Sequence, residues 1–496
     1  MRVDLLQPAG VTPRIATNGD RAFDDLGMES LYSAMAAGDP IVLEAVRSIV
    51  PATLIDPEVI RYRQAVLTDC LAHPAVVREL YTIAVEPTEI RRWPLAPGRQ
   101  SGGKMLLSLQ PFTDLLSCLR RLRALCERNA SVFGSAGLTG LVAGVSERFD
   151  DAYLDTVESH LAALYFENGV HLTAGLGVGN KIADIVLHEP VRPRRARFGI
   201  GRRADRAFRP IEDPEAAANP AMNPIKQLQD RALAEVAEIV AYAADHVHDF
   251  FQRLRTELAF YIGCLALHDR IGAAGLPTCM PVVHDAGRPR LRCAGLRNLA
   301  LCLSSGRAVV GNDVRADDRT LIVVTGANNG GKSTFLRSLG TAQLMMQSGM
   351  FVLADAFEAD VRDGVFTHFV TDEDRTMTHG KLVDELARMS AIVDRISPDS
   401  LLLCNESFAS TSERDATRIA TPLVAALTES GVKFVFVTHL YEFARARHAA
   451  AHSTDLFLRA DPLPTGARTF HLNPAPPQPG SHATEIFHRV FDSAAR

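Results

Sequence analysis

The fold class this sequence predicts is a multidomain chain. An N-terminal all-α core and lever region with a coiled-coil-like arm precedes a C-terminal α/β domain. Three observations predict it. At 496 residues the chain is too long to bury one compact core, so two or three domains are expected. Apolar residues in the first half recur three and four apart, the spacing of one helix face. In the last third the pattern changes to short, continuous apolar runs that end in polar residues. Such runs read as buried parallel strands with their chemistry at the carboxyl ends.

Composition narrows the class. With 47% hydrophobic and 22% charged residues and a mean hydropathy close to zero, the chain is ordinary for a globular protein. A net charge of −5 offers no global field for nucleic acid, so any such contact needs a local patch. The eight cysteines (Cys70, Cys118, Cys126, Cys264, Cys279, Cys293, Cys302, Cys404) form no CxxC pair and read as reduced, mostly buried thiols. The opening "MRVDLLQPAG" lacks a basic stretch followed by a long apolar one, and no apolar run approaches the roughly 18 residues that span a bilayer. A soluble, cytoplasmic protein with no membrane contact is the expectation.

Taken in order, "DPEVIRYRQAVLTDCLAHPAVVRELYTIA" places Val59, Tyr62, Val66, Leu67 and Leu71 on one helix face. "RRWPLAPGRQSGGK" breaks the pattern, and a helical reading resumes from Met105 to about Phe166. The expected domains are a helical core-like region over 1–100, a helical lever region over 101–272 and an α/β domain over 273–496. "GVHLTAGLGVGNKIADIVLHEP" reads as a tight hairpin. Its Gly175, Gly177 and Gly179 miss the GxGxxG spacing, and no helix follows.

"RPRRARFGIGRRADRAFRP" holds eight arginines between Arg192 and Arg209, with Phe198 and Phe208 among them. It reads either as a solvated loop or as a phosphate-contacting patch, in which Arg194, Arg195, Arg202 and Arg203 displace counterions from DNA. Leu233, Val236, Val240, Ala243, Val247, Phe250 and Leu254 then alternate steps of three and four, a heptad seam for a long helical arm. "TLIVVTG", "SLLLCNE" and "VKFVFVTH" are the expected parallel strands. "STDLFLRA" and "ARTFHLNP" read as antiparallel edge strands.

"LIVVTGANNGGKSTFLRS" is strand, glycine-rich turn and helix, and it matches GxxxxGK[ST]. Gly326, Ala327, Asn328, Asn329, Gly330 and Gly331 form a loop whose backbone amides converge on phosphate oxygens at a helix N-terminus. Lys332 neutralises the β- and γ-phosphates, the Ser333 hydroxyl is placed to ligate Mg²⁺, and Thr334 closes the motif. The cofactors expected are therefore ATP and Mg²⁺. In "SLLLCNES" a strand ends at Asn405–Glu406, where the second nucleotide motif normally carries Asp–Glu. Glu406 can orient or deprotonate an attacking water. Asn405 can face the metal through its amide oxygen but brings no charge, so slow hydrolysis, or tuning for occupancy, is expected. In "FVFVTHLYEF", His439 follows a strand end, where a switch residue would sense the γ-phosphate.

These stretches together resemble the MutS family. "TGANNGGKSTFLRSLG" is similar to its phosphate loop, "VVGNDV" to the segment before it, "LLLCNESFASTSERDA" to its second motif, and "VTHLYEFA" to its switch histidine. "KLVDELARMSAIV" resembles the helix after the family's trans-acting signature, "SHATEIFHRVF" the helix after the ATPase core, and "DPEVIRYRQAVLTDCL" the start of its helical core. The resemblance implies an ABC-type P-loop ATPase whose nucleotide lies at a dimer interface, with Glu406 and His439 catalytic. It further implies a homodimer in which ATP closes lever arms around double-stranded or structured DNA, in repair or recombination.

The departures bear on mismatch sensing. No phenylalanine is followed two residues later by Glu, core-like helices begin almost at the start, and the signature appears as "DRTMTHGK", with Thr378 as a stand-in for its serine. Two alternatives share the motifs: an ATP-gated dimeric scaffold with little turnover, and an ATPase acting on RNA or ribosomes.

Overall fold

The N-terminal half folds as helices because its apolar residues keep the helical period and its polar residues cap the ends. In the computed structural model, which describes residues 3–89, 101–164, 172–176, 182–188, 224–305, 309–370, 380–462 and 468–478, the chain opens with α1 (Ala22–Asp25), α2 (Met28–Ala36) and α3 (Pro40–Ile49). Asp39 caps α3 by accepting from the N–H groups of Ile41 and Val42, and Pro40 takes the first helical position, where no donor is needed. Then come α4 (Pro57–Ala72), α5 (Pro74–Glu89), α6 (Ser101–Arg128), α7 (Ala136–Arg148) and α8 (Asp151–Leu164). Helix α4 buries Val59, Val66 and Leu67 of the face its spacing marked, with Ile60 beside them, while Tyr62 and Leu71 are half-buried. Helix α6 begins at Ser101, inside the stretch expected to be a break. The hairpin forms: β1 (Leu172–Leu176) pairs antiparallel with β2 (Ile182–Leu187).

Helix α9 (Pro224–Ala273) runs unbroken for 50 residues. Along its seam Val240, Phe250 and Leu254 are buried, while Val236, Ala243 and Val247 are half-buried. The side chain of Leu233 lies outside the described residues, as do Arg194, Arg195, Arg202, Arg203, Thr378 and the tail from 479 onward.

The chain divides into two compact units. The first comprises Met1–Val3, Arg78–Val132 and Thr139–Arg255. Among its described residues it is helical apart from the hairpin, with Leu115, Leu119, Leu122, Leu154 and Leu161 buried. On its surface Arg120 pairs with Asp155 and Glu158, each at 2.7 Å, and below it the Phe149 ring meets the buried Phe250 ring at 5.9 Å.

The second unit comprises Asp4–Val77, Phe133–Leu138 and Thr256–Arg496. Its N-terminal segment is strapped down. The N–H groups of Leu5 and Leu6 donate to Glu257 at 2.7 and 3.2 Å, and the Tyr261 hydroxyl donates to the Leu5 carbonyl at 2.6 Å.

This unit also carries the α/β elements: β3 (Val282–His284), β4 (Leu291–Leu296), α10 (Leu299–Ser305), β5 (Asn312–Arg315), β6 (Leu321–Gly326) and α11 (Lys332–Gln347). They continue through β7 (Ala356–Asp360), β8 (Val365–Phe369), α12 (Lys381–Val393), β9 (Leu401–Asn405) and α13 (Glu413–Glu429). The last are β10 (Lys433–Val437), α14 (Tyr441–Ala449), β11 (Asp455–Pro462) and β12 (Arg468–Pro474).

Two mixed sheets result. The larger has the order β12-β11-β6-β10-β9-β8, parallel except for β12. The smaller, β3-β7-β4-β5, was not foreseen from the sequence. The three expected parallel strands are β6, β9 and β10. They lie side by side because residues such as Leu321, Val324, Leu402 and Val437 are fully buried. Each such side chain stabilises by about 1.5–3 kcal/mol at most.

One expectation is corrected: β11 is no edge strand. It pairs parallel with β6 from Asp455 to Ala460, and β12 alone forms that edge. Its apolar Leu456, Phe457 and Leu458 suit an inner position. All eight cysteines are free, and all but Cys279 are buried. Among the described residues no helix is long and apolar enough to cross a membrane.

Candidate functional site

Strand β6 carries the chain to Gly326 at its carboxyl end, where φ is +114°. A Cβ at that position would stand 2.5 Å from the Ala460 carbonyl oxygen on β11, so only glycine allows the turn. At Gly330 a Cβ would stand 2.9 Å from the Ala327 carbonyl oxygen. Gly331, with φ +92°, is the N-cap of α11, and Asn329 takes a left-handed φ of +57°. Ala327 is buried, while Asn328 and Asn329 are exposed; Ser333 and Thr334 lie half-buried in the first turn of α11. The result is a tight loop ending on a helix N-terminus, the partly positive end of the helix dipole.

Lys332 is only 4% exposed. Its ammonium donates to the carbonyls of Gly326 and Ala327, both at 2.9 Å. Burial pulls its pKa below the ordinary lysine value; the Glu406 carboxylate opposes that pull and the Arg468 guanidinium adds to it.

The sheet register delivers the other residues. Val437 on β10 aligns with Val324 on β6 and with Asn405 on β9, so the three strand ends form one rim. The Ser333 hydroxyl donates to the Asn405 amide oxygen at 2.7 Å, across 72 residues of chain. Glu406 leaves β9 with a left-handed φ of +56°, its N–H donating to the Val437 carbonyl at 2.8 Å. Its carboxylate lies 2.9 Å from His439 Nε2. That hydrogen bond, with the charge of Lys332 behind it, holds Glu406 below the usual carboxylate range. The site thus gathers backbone donors, one buried cation, a carboxylate–imidazole pair and a neutral Ser–Asn pair.

Behind Glu406 lies a buried polar link that the sequence pattern hid. His368 on β8 places Nδ1 2.6 Å from the Ser407 hydroxyl and Nε2 3.0 Å from the Glu385 carbonyl on α12. Burial pushes the imidazole down to about 4, so the ring is neutral near pH 7. A carbonyl only accepts, which assigns the proton to Nε2 and leaves Nδ1 to accept from Ser407. The Glu385 carboxylate accepts from Ser410 at 2.9 Å.

Three further neighbours escaped the motif reading. Phe470 and Ala460 crowd the glycine loop, and Asn312, buried, holds β12 in place. Its amide donates to the Phe470 carbonyl at 3.1 Å and accepts from the Leu472 N–H at 2.8 Å. Only the "VVGNDV" segment, singled out as preceding the loop, pointed toward Asn312.

A helical N-terminal region joined to an α/β domain with mixed sheets, and a glycine loop rimmed by the ends of its parallel strands, define the class of protein. Residues 55–274 match the MutS2 N-terminal domain, and residues 322–471 match MutS domain V. The chain belongs to the MutS-related family. It is 26% identical over 230 residues to the DNA mismatch repair protein MutS of Chlorobium chlorochromatii, a match covering 44% of this chain and 26% of that protein. To the protein of the same name from Chloroflexus aurantiacus it is 30% identical over 217 residues, 40% of this chain and 22% of the relative. With that of Thermotoga petrophila it shares 35% over 134 residues, 27% of this chain and 17% of the relative. The chain therefore spans about a quarter or less of the length of these relatives.

Proposed function

We propose that the chain is a MutS-related, ATP-dependent DNA-binding protein acting in DNA repair or recombination, in which ATP binding at a dimer interface drives a clamp. The observation that carries this reading is the Ser333–Asn405 hydrogen bond of 2.7 Å, which joins the two nucleotide motifs at the N-terminus of α11. The glycine loop fits a triphosphate. Its left-handed turns at Gly326 and Gly331, where a Cβ would press on Ala460 and Phe470, let consecutive backbone amides turn toward the N-terminus of α11. Lys332, now resting on two carbonyls, turns its charge to the β- and γ-phosphates. Ser333, with Asn405 behind it, would hold Mg²⁺, which when bound neutralises charge developing on the phosphates.

Glu406 orients an attacking water and accepts its proton, and His439, hydrogen-bonded to Glu406, positions the carboxylate. The long helix α9 serves as the lever, with its 3-4 seam packing as a coiled-coil-like arm. DNA, double-stranded or structured, is the partner, as the relatives' name implies, and a homodimer is the working assembly.

One observation favours a second reading, an ATP-gated scaffold with little turnover. The Ser333–Asn405 pair that would face Mg²⁺ is neutral, and such a site holds a hard cation less firmly than one with a carboxylate.

Titration of the full chain with ATP and Mg²⁺, alone and with duplex or junction DNA, tests both readings. Wild type should bind ATP saturably and hydrolyse it faster with DNA, while Lys332→Ala should lose about 100-fold or more in affinity, the loss of a charge-assisted contact in a buried site. Absence of saturable ATP affinity defeats the whole reading. Tight binding without turnover selects the scaffold.

A further inference from the structure

The carboxylate of Glu406 stands on a turn that its own residues do not favour. Glu406 and Phe408 both take left-handed backbone angles, φ +56° and +68°, and neither is glycine or asparagine. Each such residue costs about 1–3 kcal/mol and persists only where its surroundings hold it. The side chain of Glu406 does not supply that hold. It is 36% exposed and its partner His439 is 41% exposed, so their hydrogen bond competes with water.

The hold lies underneath. Ser407 and Phe408 are each 1% exposed, and His368 touches both. Its Nδ1 accepts from the Ser407 hydroxyl at 2.6 Å, and its own carbonyl lies 3.0 Å from the same hydroxyl, so one residue brackets Ser407 from two sides. Its ring packs on that of Phe408, with centroids 5.7 Å apart. His368 is in turn fixed twice. The β8–β9 register sets it opposite Cys404, and its Nε2 donates to the Glu385 carbonyl on α12 at 3.0 Å. The Glu385 carboxylate accepts from Ser410 at 2.9 Å, so α12 grips the turn on either side of Phe408. An apolar side chain could fill the space between β8 and α12, but it would offer no nitrogen to Ser407 or to the helix carbonyl. A buried imidazole with both nitrogens engaged fixes direction as well as volume.

We propose that His368 is the positioning residue for Glu406: it locks the turn through Ser407 and Phe408 and so aims the carboxylate at the attacking water. The part in hydrolysis rests on the ATPase reading above; the hold on Glu406 rests on the hydrogen bonds and ring packing alone.

Two readouts on the full chain test this, in wild type, His368→Leu, Ser407→Ala and His368→Gln. The first needs no nucleotide: NMR of isotope-labelled histidine rings, with the His439 signal identified through His439→Gln. In His368→Leu and Ser407→Ala that signal should move toward its place in Glu406→Ala, where the carboxylate is missing. His368→Gln, which keeps a donor and an acceptor, should leave it near its wild-type place. The second readout is hydrolysis measured beside ATP affinity. His368→Leu and Ser407→Ala should lose about tenfold or more in kcat, the cost of a misplaced base, with ATP affinity kept within about twofold. His368→Gln should recover most of that loss. A His439 signal unmoved in both variants overturns the hold. Turnover unchanged in both, or ATP affinity falling together with kcat, overturns the positioning role. If wild type neither binds nor hydrolyses ATP, the ATPase reading fails, while the His439 signal still decides whether His368 sets Glu406.

Discussion

At the scale of single residues, the site turns on what Asn405 lacks. Its amide oxygen occupies the Ser333 hydroxyl at 2.7 Å but carries no charge. Asn405→Asp should raise Mg²⁺ affinity and steady-state hydrolysis by about tenfold, the effect of one added carboxylate beside a hard cation. A magnesium titration of the ATPase rate checks this, and an unchanged rate would show that Asn405 does not limit turnover. His368 makes a second prediction, about pH. Its folded pKa is about 4, below the ordinary 6.5, so between those values the unfolded chain binds more protons. Its contribution is therefore intact above about pH 6.5 and is lost as pH falls toward 4, by at most about 3 kcal/mol. Urea unfolding at pH 7.5 and 5 should show a larger drop for wild type than for His368→Gln, which keeps a donor and an acceptor but cannot titrate. Equal drops would mean the ring opens to water before it protonates.

At the scale of elements, the motif-bearing strands were legible because a strand buried on both faces must be apolar throughout, and "LIVV", "LLLC" and "FVFV" are. The elements that close the site were less legible. Strand β11 reads as an edge strand because its "DLFLRA" is short and flanked by polar residues, yet it pairs with β6, and its Ala460 sets the need for glycine at 326. Asn312 has the same character: an ordinary polar residue in sequence, and in space a two-way clamp between β5 and β12. Asn312→Ala would leave the buried Leu472 N–H without its acceptor. It should cost about 1–3 kcal/mol of stability and also weaken ATP binding, because Phe470 and Arg468 lose their anchor beside the loop. Thermal melts with and without ATP separate the two effects. A loss of stability with full ATP affinity would confine Asn312 to a structural part.

At the scale of the whole molecule, the formal charge of −5 means that the proposed DNA binding would depend on a local density of arginine. Replacing Arg194, Arg195, Arg202 and Arg203 with Ala should weaken duplex binding and flatten its dependence on salt, by up to about 3–4 units of slope if all four meet phosphates. Fluorescence anisotropy across a salt series measures this. An unchanged slope would return the segment to a solvated loop.

The sequence by itself determined the helical N-terminal half, the parallel strands and the glycine-rich turn, because periodicity and backbone freedom are local properties written in consecutive residues. Tertiary structure alone decided which residues meet. It set Ser333 against Asn405, His439 against Glu406, and His368 between Ser407 and Glu385. Those pairings depend on strand order and register, which the cooperative packing of the unit selects and no local pattern encodes.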